Sequence, residues 1–222
     1  MMPVAPRDEP RDFDAKVRRP GMQWLHERLG GERTPRVGAP VKPLAPGVDL
    51  RATDIMAYWT ACLPDLRALY RVCSYAGLKI REGGESVDHF ECKERCLRDP
   101  TKHALIYEWR NFRYAFLPIN RYRGTRQVLD PFEVQADWFA LEFVGLSVHP
   151  RSHLGEPTLG RVRDTIRFAG LNEPWLLRLR AEYFDAWRTR QISETWLREC
   201  APFIAAEIDR QGVSRARDGE VA

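Results

Sequence analysis

Apolar residues recur at intervals of three and four positions in several parts of this chain, which is the pattern of amphipathic helices. Residues 17–29 place Trp24 and Leu25 within such a pattern, which predicts a short helix able to dock on the rest of the protein. A longer pattern runs from Ala52 to about Cys73. Pro64 is expected to kink this helix or to divide it into two.

The last third of the chain is dominated by helical spacing. One predicted helix covers Thr158 to Ala169, a second begins at Asn172 with a cap-like Asn-Glu-Pro start, and a third covers Ser193 to Gln211. Ahead of them, residues 138–148 predict a strand or a hairpin. After Gly212 the sequence becomes a polar tail.

The middle of the chain shows shorter patterns. Residues 78–80 and 86–90 resemble two strands, and the glycine pair at 83–84 predicts a hairpin tip between them. Residues 91–103 are charged and irregular, so a surface loop is expected there. Residues 112–123 are predicted to form a short helix that tolerates Pro118.

Short strands flanked by helices predict an α+β fold. The first fifty residues hold eight of the sixteen prolines and cannot form a packed unit alone. Four regions are therefore expected: a Pro/Arg-rich arm at 1–50, a core at 51–150, a helical region at 151–211 and a polar tail at 212–222.

Composition narrows the class of protein. With 222 residues and 44% hydrophobic content, the chain can bury a sizeable core. It has neither a membrane-length apolar run nor a secretory signal, so we expect a cytoplasmic protein without membrane association. Its five cysteines are irregularly spaced, which favours free thiols over disulfides.

The distribution of charge along the chain is more informative than the net charge. The net charge of +4 is modest, yet the stretch from Trp109 to Leu129 contains no acidic residue. Such a local positive field suits the recognition of phosphates. The candidate nucleic-acid contacts are Arg110, Arg113, Arg121, Arg123 and Arg126.

The candidate chemistry centres on Asp88 and His89, at the end of a predicted strand. Hydrolysis of a phosphodiester needs a base, a cation and a rigid frame, and an Asp-His pair can supply the base and a metal ligand. Asn111 lies 22 residues beyond His89, and Asn120 lies nine residues further. An oxygen of Asn120 can bind Mg²⁺, and Asn111 can brace the loop that carries His89. Alternatively, both asparagines are loop caps and the arginines form a solvated face.

Four motifs together resemble a known family. They are D-H-F at Asp88, Y-E-W-x-N-[FY]-R ending at Arg113, N-x-x-[KR]-G at Asn120 and L-D-P-F at Leu129. This combination resembles bacterial HNH, or ββα-metal, endonucleases, in particular those of phage-defence cassettes such as Septu and retron systems. The likeness covers about residues 58–175.

The resemblance implies a role for each motif residue. His89 would be the general base, Asp88 and Asn120 would hold a divalent metal, Mg²⁺ or Mn²⁺, and Asn111 would support the active-site loop. It further implies a ββα-metal core between a helical N-terminal element and a helical C-terminal region.

The cysteines depart from the family pattern. Many members carry zinc knuckles, whereas here only Cys73 remains and the other knuckle positions are Ala76, Phe116 and Ile119. We therefore expect a small hydrophobic cluster and no structural zinc. A zinc site of Cys92, Cys96 and His103 is an alternative with unusual spacing, while Cys62 and Cys200 are expected in the core.

The resulting hypothesis is a metal-dependent endonuclease that cleaves DNA, by nicking or double-strand cutting, in bacterial anti-phage defence. DNA is the expected partner, a defence-system ATPase is a candidate second partner, and an oligomer is compatible with the sequence. Two alternatives stay open: a non-catalytic nucleic-acid-binding or partner subunit on the same scaffold, and a nuclease directed at RNA.

Overall fold

The chain groups into two compact units that alternate along the sequence. The computed structural model describes residues 1–33 and 40–215. What we call the amino-terminal unit consists of Pro6–Leu69 and Ser86–Arg113. The carboxy-terminal unit consists of Met1–Ala5, Tyr70–Glu85 and the chain from Tyr114 onward. Residues 34–39 of the expected arm and 216–222 of the expected tail lie outside the described ranges, and the expected boundaries at 50, 150 and 211 stay predictions.

Helices and short turns make up most of the amino-terminal unit. The predicted docking helix is present as a π-helical turn, Asp14–Arg18, followed by α1, Arg19–Arg28. The long helix predicted from Ala52 is wrong in extent, since only α2, Leu63–Tyr70, is α-helical. Pro64 lies in the first turn of α2, where a missing N–H is harmless, so it begins a helix and does not kink one.

The predicted surface loop at 91–103 is also wrong. It contains α3, Lys93–Arg98, and a 3₁₀ segment, Pro100–Tyr107, which a second 3₁₀ turn, Trp109–Asn111, follows. The charged residues of this stretch misled the prediction because they occupy the outer face of a helix whose inner face buries Cys96.

The N-terminal segment is part of the core of the amino-terminal unit. Phe13 is fully buried, with its ring centroid 5.5 Å from that of Trp109 and 5.9 Å from that of Phe112. The indole N–H of Trp109 donates a hydrogen bond to the carbonyl of Arg7 at 2.7 Å. Trp109 and Phe112 are therefore core residues, with 6% and 1% of their surface exposed.

A two-stranded sheet is formed by β1, Glu85–His89, and β2, Phe112–Phe116. The predicted hairpin across the glycine pair at 83–84 is wrong, because residues 78–80 contribute only an isolated bridge between Lys79 and Val72. Residues 112–116, predicted as helix, are a strand whose residues are all buried. A strand buried on both faces lacks polar alternation, which explains the error.

The helix that follows this sheet is α4, Leu117–Arg123, with Pro118 in its first turn. Helices and two small sheets are both present, so the prediction of an α+β fold is confirmed. In the described part of the chain, no helix has both the length and the apolar composition that crossing a bilayer requires.

The carboxy-terminal unit follows the prediction more closely. The expected hairpin is present as two antiparallel strands with Ala140 opposite His149. The last predicted helix is divided at Pro202, and Gly212, with φ of +64°, ends the final helix in the left-handed region. The strands are β3, Phe139–Leu141, and β4, Val148–Pro150, and the helices are α5, Thr158–Phe168, α6, Pro174–Arg188, α7, Glu194–Cys200, and α8, Pro202–Gln211.

A buried carboxylate ties α8 to β3. Glu207 is 3% exposed, accepts hydrogen bonds from Arg210 at 2.6 Å and from the Leu141 amide at 3.0 Å, and pairs with Arg151 at 2.5 Å. Burial alone would raise the pKa of Glu207, but these hydrogen bonds and the charge of Arg151 outweigh it and lower the pKa to about 2. Glu207 therefore stays ionised inside the unit.

Candidate functional site

His89 ends β1 and is held by aromatic rings within the amino-terminal unit. His89 is only 6% exposed to solvent. Its ring centroid lies 4.7 Å from that of Trp59 and 5.1 Å from that of Phe112, both in edge-to-face arrangements. Such contacts restrict the rotation of the imidazole.

A hydrogen bond fixes the protonation pattern of His89. Its Nε2 lies 2.9 Å from the carbonyl oxygen of Ile106. A carbonyl oxygen only accepts, so Nε2 must carry the proton and donate. In the neutral ring the basic lone pair is then at Nδ1, which is the atom able to take a proton.

Asn111 holds the segment to which His89 is bonded. The residue is 4% exposed, and its Oδ1 accepts a hydrogen bond from the Glu91 amide at 2.7 Å. Its Nδ2 donates to the carbonyls of Glu91 at 3.1 Å and of Leu105 at 2.9 Å. Leu105 directly precedes Ile106, so Asn111 and His89 bind consecutive carbonyls. Asn111 thus has the bracing contacts expected of it, while its contribution to catalysis stays a prediction.

The two expected metal ligands belong to different units. Asp88 is 2% exposed in β1, beside His89, and neighbouring side chains of a strand point to opposite faces. Asn120 lies in α4 of the carboxy-terminal unit and is partly buried. A carboxylate and a carboxamide are hard oxygen donors of the kind that Mg²⁺ takes, and Mg²⁺ needs few protein ligands. The donor types therefore fit this ion.

The alternative zinc site is not assembled. Within residues 1–33 and 40–215, no group of three or more His, Cys, Asp or Glu side chains could hold a metal ion. The thiol of Cys96 instead donates to the Glu91 carbonyl at 3.5 Å, and Nε2 of His103 lies 3.3 Å from the Leu97 carbonyl. Burial raises the pKa of Cys96 to about 12, which disfavours the thiolate that zinc requires.

The former knuckle positions are buried in the carboxy-terminal unit. The exposed fractions are 0% for Cys73, 1% for Ala76, 7% for Phe116 and 1% for Ile119. The amide of Phe116 donates to the sulfur of Cys73 at 3.5 Å. These positions are apolar core, as expected, and the absence of a structural zinc stays a prediction. Cys62 and Cys200 are buried core residues, as predicted.

The five candidate arginines do not share one environment. Arg110, Arg121 and Arg126 are exposed. Arg113 and Arg123 are only 3% and 1% exposed, and Arg113 donates to the carbonyls of Arg110 and Phe112. Arg113 is thus held by backbone carbonyls, and both side chains are shielded from solvent, so we do not retain these two as phosphate contacts.

A basic cleft of the carboxy-terminal unit was missed by sequence reasoning. It measures about 350 Å³ and is lined by residues that include Tyr122, His149, Arg163 and Arg167. Tyr122 is 41% exposed, and the guanidinium of Arg126 lies 5.3 Å from the centre of its ring. The helical spacing of the arginines in α5 was the available signal.

Lys93 was missed as well. It lies four residues beyond His89, and its Nζ is 4.5 Å from the centre of the Trp59 ring that also contacts His89. No family model, no curated protein and no solved structure matches this chain.

Proposed function

We propose that this protein is a metal-dependent endonuclease that hydrolyses DNA, and that β1, β2 and α4 form a ββα-metal core. The observation that carries the proposal is the hydrogen bond from His89 Nε2 to the Ile106 carbonyl, in a segment braced by Asn111. This arrangement leaves the basic nitrogen of a restrained imidazole at Nδ1, as a general base requires.

In the proposed reaction, Nδ1 of His89 takes a proton from the attacking water. Trp59 and Phe112 keep the ring oriented, and Asn111 keeps the 105–106 carbonyls in place, so the base is positioned before the substrate arrives. Asp88 and Asn120 would hold Mg²⁺ or Mn²⁺, which when bound would stabilise negative charge on the phosphate and on the leaving oxygen. The exposed Arg121, next to Asn120, would contact a phosphate.

The basic cleft supports nucleic acid as the substrate. Exposed Arg163 and Arg167 can neutralise backbone phosphates, and the exposed ring of Tyr122 can stack on a base. RNA would meet the same groups, so an RNA substrate is the second candidate. A role in anti-phage defence and an ATPase partner belong to the proposal through the family resemblance alone, and a cytoplasmic location belongs to it through the expectation drawn from the sequence.

The experiment is cleavage of supercoiled plasmid by the purified protein with Mg²⁺ or Mn²⁺, and with EDTA. His89→Ala is expected to abolish cleavage. The matched control is His103→Ala, because His103 belongs to the same unit and also contacts a backbone carbonyl through Nε2. His103→Ala should retain cleavage.

Relaxed plasmid as the product would indicate nicking, and linear plasmid would indicate double-strand cutting. A parallel assay with labelled RNA tests whether RNA is the substrate. Cleavage that persists in His89→Ala would refute the assigned base. A wild-type protein that binds DNA but cuts neither nucleic acid with either metal would support the non-catalytic subunit instead.

A further inference from the structure

Lys93 is a cation that has no anionic partner within residues 1–33 and 40–215. It is the first residue of α3 and is partly buried. Its ammonium lies over the face of Trp59, 4.5 Å from the ring centre. Among the residues that the structure describes, no carboxylate or carbonyl lies within hydrogen-bonding distance of this ammonium.

The neighbouring acids do not compensate for this charge. Glu91 already pairs with Arg95 at 2.7 Å and with Lys102 at 3.9 Å. Burial lowers the pKa of Lys93, and the charge of Glu94 opposes that change only in part. The ammonium is therefore partly removed from water and has no ion pair among the described residues.

Such an arrangement is unfavourable for the protein alone. A partly dehydrated ammonium needs hydrogen-bond acceptors, and a cation–π contact replaces only part of the lost hydration. Exposed lysines avoid the problem because their long side chain reaches water. A group kept in this state is a candidate for binding an anion that arrives with the ligand.

The position of Lys93 indicates which kind of anion it could bind. Trp59 contacts Lys93 through its face and His89 by an edge-to-face arrangement, so both groups lie against the same indole. A phosphate oxygen bound by Lys93 would therefore lie near the indole that also contacts the candidate general base. An ammonium is a common phosphate-binding group.

We propose that Lys93, supported by Trp59, is a phosphate-binding subsite for the nucleic-acid strand that His89 acts on. The role of this subsite in catalysis rests on the proposed function. The binding of phosphate by Lys93 can be tested without catalysis. The exposed arginines of α4 and α5 belong to the other unit.

The first test compares Lys93→Met, Lys93→Arg and the control Lys102→Met in thermal unfolding. Lys102 is partly exposed and its ammonium lies 3.9 Å from Glu91. Because Met removes an unpaired charge and keeps the apolar stem, Lys93→Met should unfold at a temperature equal to or above that of the wild type. A clear decrease would show that the ammonium stabilises the fold and would overturn the proposal.

The second test adds sodium phosphate to each protein, with sodium chloride of equal ionic strength as reference. Phosphate should raise the unfolding temperature of the wild type, Lys93→Arg and Lys102→Met, and should have no specific effect on Lys93→Met. An equal phosphate response in Lys93→Met would overturn the subsite.

The third test measures the affinity for a short DNA duplex in EDTA. Lys93→Met should weaken binding about tenfold and reduce the salt slope by about one, as expected for the loss of one phosphate contact. An unchanged salt slope would overturn the proposed role on nucleic acid. If the wild type proves unable to cut DNA while phosphate and DNA binding still depend on Lys93, the subsite stands and the nuclease proposal fails.

Discussion

Replacing Asn111 by Ala tests the bracing on which the candidate base depends. The substitution removes a side chain that is 4% exposed and makes three hydrogen bonds to the backbone, two with Glu91 and one with Leu105. The backbone groups left behind belong to the partly buried Glu91 and Leu105, and they lose these partners. The variant is therefore expected to be less stable and to position His89 poorly.

The magnitude follows from these contacts. Each hydrogen bond contributes about 1 kcal/mol net, and a buried group left unsatisfied costs about 1–3 kcal/mol. Three such bonds give a loss of about 3–5 kcal/mol in the free energy of unfolding. With a urea dependence of about 2 kcal/mol per molar, the midpoint should fall by about 2 M. Misplacement of the base by about 1 Å would slow cleavage about 100-fold.

Urea denaturation followed by tryptophan fluorescence measures the first effect, and single-turnover plasmid cleavage in buffer measures the second. The control is Thr165→Val in the carboxy-terminal unit, since the Thr165 hydroxyl also bonds backbone groups, the Leu129 amide and the Arg161 carbonyl, at 2.8 Å each. This control should lose stability but keep the cleavage rate of the folded protein. A midpoint shift below about 0.3 M for Asn111→Ala would refute the reasoning.

Further predictions concern the rest of the molecule. The pKa of Glu207, about 2 in the fold against an ordinary 4.5, means that its stabilisation is complete above pH 4.5 and is lost as the pH falls toward 2. Glu207→Gln should therefore lower the stability at pH 7 by about 3 kcal/mol and flatten the acid side of the stability curve, as measured by urea titration at each pH. None of the five cysteines is in a disulfide and all are buried, so a thiol reagent at pH 8 should modify none of them rapidly in the native protein and all five after unfolding. Fast native modification would contradict the burial. The double variant Arg163→Gln/Arg167→Gln should reduce the salt slope of DNA binding by about two, whereas removal of Arg178 and Arg188, exposed on α6, should leave it unchanged.

Local patterns predicted the elements whose signals are local. The helix α5 was identified from its periodicity, and β1 corresponds to the strand predicted at residues 86–90. Pro118 and Pro202 also carried usable information, because each lies in the first turn of a helix and so marks its start. Treating Pro118 as tolerated inside a longer helix concealed β2.

The pairing of strands could not be derived in the same way. The glycine pair at 83–84 is a strong local turn signal, yet the partner of β1 is β2, which begins only at Phe112. Long-range pairing depends on which faces become buried together, and local turn signals do not report this.

In the candidate site, too, residue types could be predicted from the sequence, whereas contacts between distant residues could not. The residue types at Asp88, His89 and Asn111 were visible as a motif, but the Ile106 carbonyl that sets the tautomer of His89 has no side-chain signature. Lys93 attracts notice only once its ammonium is seen over Trp59 without an anionic partner among the described residues. The burial of Arg113 and Arg123 was equally invisible, since a run of arginines looks the same in sequence whether it faces water or not.

The alternation of the chain between its two units constrains how this protein can change during evolution. The backbone passes from one unit to the other four times, at about residues 5, 69, 85 and 113. A contiguous stretch that contains one complete unit therefore also contains a segment of the other, and a shorter stretch leaves incomplete cores. New binding specificities are expected to arise through point substitutions and through longer surface loops. Exchange of a contiguous segment with another protein is disfavoured. The same constraint applies to protein engineers, who would need split or permuted chains to move His89 and its supporting residues into another host.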